Sequence, residues 1–203
     1  MTAETDSAAN TLVAEAGIAL REGRDKDAEA SFRAALDVSP DFVPANYNLG
    51  LMQLERGRAA EGLPHLQRAA KAQPTLDTLT SLGKCFETLG NAEQATRCYR
   101  PVLAKTPQNS DLWARYASLK ETLGEKADAR EAYENALQYN PRHTQAAIKL
   151  GWILWRDSPA KAINTLRAAV NAVGENLSDR IKLLSVMVLF EEWIARINKG
   201  LPP

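Results

Sequence analysis

Four prolines, Pro40, Pro74, Pro107 and Pro141, stand 34, 33 and 34 residues apart, and four glycines, Gly23, Gly57, Gly90 and Gly124, repeat the same intervals. Small residues follow in a third register, Ala28, Gly62, Ala95, Ala129 and Ala162, and large ones in a fourth, Phe32, Leu66, Tyr99, Tyr133 and Leu166. A fifth runs Ala16, Gly50, Gly83, Ala117 and Gly151. Five registers holding one period make internal repetition the constraint that any fold of this chain must satisfy.

Each register has a physical task. The residues before each glycine are helix-permissive; Tyr47, Leu51 and Leu54, for instance, fall on one helical face. The glycine then supplies a left-handed turn where a Cβ is costly. A second helix rich in Ala, Glu and Arg runs to the residue before the proline, where helical geometry is disfavoured. Small residues such as Gly50 and Gly62 let two antiparallel helices approach closely, and the large residue fills the space against the next pair. One such hairpin cannot bury its faces alone, and stacking resolves this.

The best-preserved unit carries Trp113, Ala117, Gly124, Ala129, Tyr133, Ala136 and Pro141. This pattern resembles the tetratricopeptide repeat family, whose unit is about 34 residues long. The resemblance implies an all-α fold: a right-handed α-solenoid of five helical hairpins, about 9–42, 43–75, 76–109, 110–143 and 144–174, with a C-terminal capping helix in 175–199. Residues 1–8 are expected as a disordered tail and 200–203 as a tail or linker. Three departures accompany it. In the fifth unit Gly151 and Ala162 are 11 residues apart where Ala117 and Ala129 are 12, Asp157 takes the glycine position, and Ser158-Pro159 reads as an N-cap with a proline at the first helical position. Pro64 and Pro101 fall inside second helices, and predict a bend or a shifted helix boundary. The last helix is expected from Ser178, as N-cap, to Lys199, with Gly200 as its stop.

Composition narrows the chemistry. The 203 residues carry 25 Lys+Arg against 25 Asp+Glu, so the positive footprint of a dedicated nucleic-acid binder is absent. Two cysteines make no disulfide framework, the N-terminus has no signal-peptide pattern, and the longest apolar run, 186–190, is too short to span a bilayer, so no membrane insertion and a cytoplasmic location are expected. His65 and His143 sit in different units without a partner at metal spacing and read as surface residues. Cys85 and Cys98 read as buried small apolar residues. No catalytic constellation, phosphate loop, metal site or cofactor site stands out, and no enzyme is read here.

In the family that the pattern resembles, first helices line a concave groove. Carrying its groove positions over gives Val13, Leu20, Tyr47, Asn48, Leu51, Leu54, Lys84, Arg115, Lys149 and Trp152 as a partner-binding row, running from apolar to aromatic and basic. Such a row suits an extended peptide or a short helix. The carboxylate grip of tetratricopeptide co-chaperones is not reproduced: of the matching positions Val13, Gly17, Asn48, Asp77 and Ser81, only Asn48 fits. Nor is the asparagine ladder of O-linked N-acetylglucosamine transferases, since Ala14, Ser81, Arg115 and Lys149 flank a single asparagine. Trp152 and Trp155 have a competing role as packing against the terminal helix. Residues 142–203 hold nine Lys/Arg and five Asp/Glu, which favours an acidic ligand at that end.

The terminal helix is apolar over a wide arc, with Leu183, Val186, Phe190, Trp193 and Ile197 in one row and Ile181, Leu184, Val188 and Ile194 beside it. Val186, Phe190, Trp193 and Ile197 are therefore expected to touch a second protomer or a further domain. The leading function is a scaffold that binds a peptide or helix of a partner protein. The alternative is the non-catalytic N-terminal region of a larger transferase, such as a bacterial glycosyltransferase, that recruits its protein substrate.

Overall fold

The computed structural model describes residues 3–199, which form two compact units divided after Val102. In the first unit the helices are α1 (Ala3–Arg21), α2 (Asp25–Val38), α3 (Val43–Glu55), α4 (Ala59–Ala72), α5 (Leu76–Thr88) and α6 (Ala92–Lys105), the last as far as Val102. The second holds α7 (Ser110–Thr122), α8 (Lys126–Tyr139), α9 (Thr144–Trp155), α10 (Pro159–Val173) and α11 (Leu177–Asn198). Among the described residues there is no strand. Within each unit the helices pack in consecutive pairs, α1 on α2, α3 on α4, α7 on α8 and α9 on α10.

The expected turn chemistry is present. Gly23, Gly57, Gly90 and Gly124 adopt φ between 71° and 76°, a region that costs a Cβ-bearing residue energy. The amide that follows each closes on a first-helix carbonyl, as Arg58 does on Gln53 at 2.8 Å and Glu125 on Lys120 at 2.9 Å. The second helices α2, α4 and α8 end at Ser39, Gln73 and Asn140, extended residues with φ near −140° that precede the prolines. Hairpins close where the small registers meet: a Cβ built on Gly62 would stand 2.6 Å from the Gly50 carbonyl oxygen, and one on Gly83 would strike the Tyr99 ring. Phe32, Leu66, Tyr99, Tyr133 and Leu166 are all at most 1% exposed, each contributing about 1.5–3 kcal/mol by leaving water. The Tyr99 and Tyr133 hydroxyls reach solvent-side carboxylates, donating to Glu87 at 2.8 Å and to Glu121 at 2.7 Å. Burial, then Glu121, pushes the Tyr133 phenol well above its ordinary pKa.

Three expectations are corrected, and the fifth unit's shorter turn takes a form of its own. Residues 3–8, read as tail, are the first turns of α1, with Ala9 buried behind them; residues 1–2 and 200–203, including the expected stop at Gly200, lie outside the described residues. Of the two outcomes expected of Pro64 and Pro101, the shifted boundary does not occur: α4 and α6 are the same fourteen residues, in register, as α2 and α8. Both prolines face water, so the carbonyls they leave unbonded can be hydrated. Asp157 takes no left-handed geometry; with one residue fewer, the Asp157 and Ser158 amides both return to the Leu154 carbonyl, at 3.1 and 2.8 Å, and the backbone stays in ordinary regions. Ser158 is the N-cap of α10 and Pro159 opens it, although the Ser158 side chain makes no capping bond. The terminal helix is capped not by Ser178 but by Asn176, whose side chain accepts from the Asp179 amide at 3.2 Å.

Pairs in the first unit are also tied by charge. Glu29 of α2 accepts from Arg33 at 2.9 Å, from Arg56 at 2.9 Å and from Arg58 at 2.8 Å. The Arg58 hydrogen bond, followed by that of Arg33, lowers its pKa to about 2.

Two predictions come from these contacts. Gly62→Ala drives a Cβ into a facing backbone and should destabilise by about 2–3 kcal/mol, Gly57→Ala by about 1 kcal/mol, and Asp157→Gly should bring no gain, all read by urea denaturation. The folded state holds the Glu29 carboxyl below its unfolded value, so its stabilisation is complete above the ordinary carboxylate range and fades as pH falls toward about 2. Thermal melts of Glu29→Gln should therefore lose less stability on acidification from about pH 5 than the parent chain.

Candidate functional site

Each unit presents the exposed face of its own first helices. In residues 3–102, Tyr47, Leu51 and Leu54 occupy successive turns of one face of α3 and are half-buried. The Tyr47 hydroxyl accepts from Ser81 of α5 at 3.4 Å, which fixes the ring beside α5. Asn48 donates to the Pro44 carbonyl of its own helix at 2.8 Å. Leu20 of α1 is 42% exposed and Lys84 of α5 is exposed. Val13 turns inward and packs against the cluster of Ala16, Phe32 and Leu49. The first unit thus offers an apolar row on α1 and α3, with Lys84 at the α5 side.

In residues 103–199, Arg115 is exposed on α7 and Lys149 of α9 pairs with Glu121 at 3.3 Å. An open recess of about 520 Å³ lies along α7, α9 and α11, lined by Asp111, Arg142, His143, Lys149, Asp179 and Lys182 among others. Its charges are already partly compensated. Lys182 stands 3.4 Å from Asp179, Arg142 donates through Nε to the Ala172 carbonyl at 2.8 Å, and His143 Nε2 lies 3.3 Å from Asp111. A visiting carboxylate would compete with Glu121 for Lys149 or with Asp179 for Lys182.

Of these six lining residues the sequence reading had placed Lys149 alone in the binding row, and had taken His143 for a surface residue. Lys182 was within reach, because it falls 33 residues after Lys149 and continues the first-helix register into α11. The part played by Arg142 depends on its side chain folding back to α10, which no sequence spacing shows.

Trp152 and Trp155 pack on the terminal helix. Trp155 stacks on Phe190 at 4.2 Å between ring centroids, Trp152 meets Phe190 edge-on at 4.8 Å, and Trp193 lies 5.9 Å from Trp152 and 5.7 Å from Trp155. Trp152 keeps 40% of its surface exposed, so the rim of the row is aromatic while its other face is structural. The expected outer contact through Val186, Phe190, Trp193 and Ile197 is corrected. Phe190 is 0% exposed, and Val186 and Trp193 pack against the same core, leaving Ile197 alone of the four at the surface. The arc is wide because α11 is buried on one side by α9 and α10, not because this row awaits a partner.

Both histidines are half-buried and structural, not surface residues. His65 Nδ1 lies 3.1 Å from the Asn46 side-chain oxygen, and burial, followed by Arg68, lowers its pKa. His143 caps α9 by accepting from the Ala146 amide at 3.2 Å. Cys85 and Cys98 are buried and free, as expected, and burial raises the pKa of both thiols. Among the described residues no group of three His, Cys, Asp or Glu could hold a metal ion, and no helix is long and apolar enough to cross a membrane.

Comparison with known proteins agrees with this geometry. The sequence profile of the tetratricopeptide repeat matches residues 13–77 and 117–176. The chain is 29% identical over 114 residues to tetratricopeptide repeat-containing protein trd-1 of Caenorhabditis elegans, covering 55% of this chain and 15% of that much longer protein. Among solved structures, it superposes on YrrB, a TPR protein with an unusual peptide-binding site, at 16% identity with a TM-score of 0.74, over 86% of this chain and 89% of that one. It also superposes on MamA at 16% identity and a TM-score of 0.67, over 96% of both chains. At such identities the likeness is one of fold.

Since Phe190 closes the core of the second unit, Phe190→Ala should cost about 3–5 kcal/mol and release the tryptophans. A red-shifted, quenched tryptophan emission with an early melting transition would report it, whereas unchanged emission would contradict the packing.

Proposed function

The chain belongs to the tetratricopeptide repeat family, a fold that serves in general as a protein-interaction scaffold, and on that premise we propose that its first-helix faces hold an unfolded or helical segment of a partner protein. The observation that carries this reading is the half-exposed apolar row Leu20, Tyr47, Leu51 and Leu54, kept at the surface of a unit whose fold-determining apolar residues are fully buried. Apolar side chains spaced at successive turns match a segment that presents its own at strand or helix spacing. Tyr47, pinned by Ser81, is pre-ordered for contact, which reduces the entropy lost on binding. The recess of the second unit, rimmed by Arg142, Lys149 and Lys182, favours acidic side chains in whatever occupies it.

The apolar row makes a defined prediction. Peptides selected from a random display library on the intact chain should be rich in Leu, Ile, Phe or Trp. Their affinity should fall at least about tenfold in Leu51→Asp/Leu54→Asp, because an anchor pocket is lost, and should change little with added salt. Selected peptides that bind the double variant with parental affinity would place the site elsewhere.

A further inference from the structure

We propose that the outward face of the second unit binds an extended segment of a partner protein in which every third residue is acidic and its neighbour apolar. This rests on the reading of the chain as a holder of partner segments, and names the chemistry that the second unit selects. Helices α7, α9 and α11 begin at Ser110, Thr144 and Leu177, and Arg115, Lys149 and Lys182 each stand five residues after those starts. The same count aligns Leu150 with Leu183, both buried, so this is the register that the core keeps. Directly before the cations come Ala114, Ile148 and Ile181, half-buried on α7 and α9 and exposed on α11. A cationic row and an apolar row therefore run side by side across the three helices. The open recess joins them: Ile148, Lys149 and Lys182 line it, and Arg115 stands about one turn along α7 from Asp111, which lines it too.

Charge complementarity selects the occupant. The ion pairs that the lysines already make, Lys149 with Glu121 at 3.3 Å and Lys182 with Asp179 at 3.4 Å, lie at the surface, where such pairs add little stability and an incoming carboxylate can replace them. Packed helices stand about 8–10 Å apart, and a chain in the polyproline II conformation returns a side chain to the same face every three residues, at about 9 Å. Acidic residues at every third position then meet one cation per helix, while an apolar neighbour turns to the row of Ile148 and Ile181. Trp152, 40% exposed and about one turn beyond Lys149, adds an aromatic wall of the kind that polyproline II segments dock against. A nucleic acid fits less well, because Glu121 and Asp179 stand beside the cations and repel a continuous phosphate backbone.

Fluorescence anisotropy of a labelled peptide of Glu-Leu-Pro triplets, titrated with the full chain, tests this. The peptide should bind at least about tenfold more tightly than its Gln-Leu-Pro counterpart, or than a peptide of the same composition with its glutamates adjacent, and added salt should weaken it. Lys149→Gln/Lys182→Gln should lower the affinity at least about tenfold and flatten the salt dependence, with an unchanged far-UV spectrum. Lys182→Gln alone, at an exposed position, should show a smaller loss in the same direction. Ile181→Asp should weaken binding too, whereas Leu51→Asp/Leu54→Asp should leave it unchanged, which separates this site from that of the first unit. A Glu-Leu-Pro peptide that fails to bind, that binds the double lysine variant with parental affinity, that binds regardless of glutamate spacing, or that binds less tightly than an oligouridine would each overturn the proposal. The apolar row of the first unit would stand after any of these results, provided that its selected peptides still bind.

Discussion

The closest approach in each hairpin governs the rest of the structure. At Gly50 and Gly62 two helix backbones come near enough that a single methyl would collide with a carbonyl oxygen. Because the backbones touch there, the large residue that follows, such as Leu66, has one place to go, and its burial is complete. Where the small residue of the first helix is alanine instead, as at Ala117, the same logic holds with a partner, Ala129, that is also fully buried. The left-handed glycines complete the arrangement by reversing the chain in three residues between helices that close together.

That division explains what the scaffold can do. In each repeat some positions are committed to packing and others, on the outward face of the first helices, are left over. In the first unit the left-over positions are mainly apolar, with Asn48 and Lys84 beside them, and in the second they are charged or belong to Trp152. A repeat array can therefore change its partner chemistry unit by unit without disturbing its framework. Glu121 shows how the two sets meet: it accepts the buried Tyr133 hydroxyl, and the same carboxylate oxygen pairs with Lys149 at the surface. A charge in the outward row is thus held by the core behind it.

The framework was legible in the sequence because its determinants are periodic and local. Glycine at the turn, proline after the second helix and small residues at the crossing each act through their own backbone or nearest neighbour. What escaped depends on tertiary position. Asn176 and not Ser178 caps α11, since the choice between two nearby cap residues rests on where the chain leaves α10. The water-facing side of Pro64 and Pro101 is a matter of helix phase, so it decided in silence that no boundary would move. For the site, Tyr47, Leu51 and Leu54 were readable from helical spacing, whereas the burial of Phe190 required knowing which side of α11 meets Trp155. His143 looked solitary because its partners, the Ala146 amide and Asp111, are joined only by the fold.

The prolines within α4 and α6 have a bearing on how the chain acquires this architecture. A proline in a helix interior costs an isolated helix about 3 kcal/mol, so these segments hold little helical order before they dock, whereas α2 and α8, equal in length and without proline, meet no such penalty. Leu66 and Ala69, fully buried once α4 is docked, therefore carry more of that helix's stability than its own propensity does. Solvent-exposed residues that leave the native helix at its full length thereby make it lean on its neighbours.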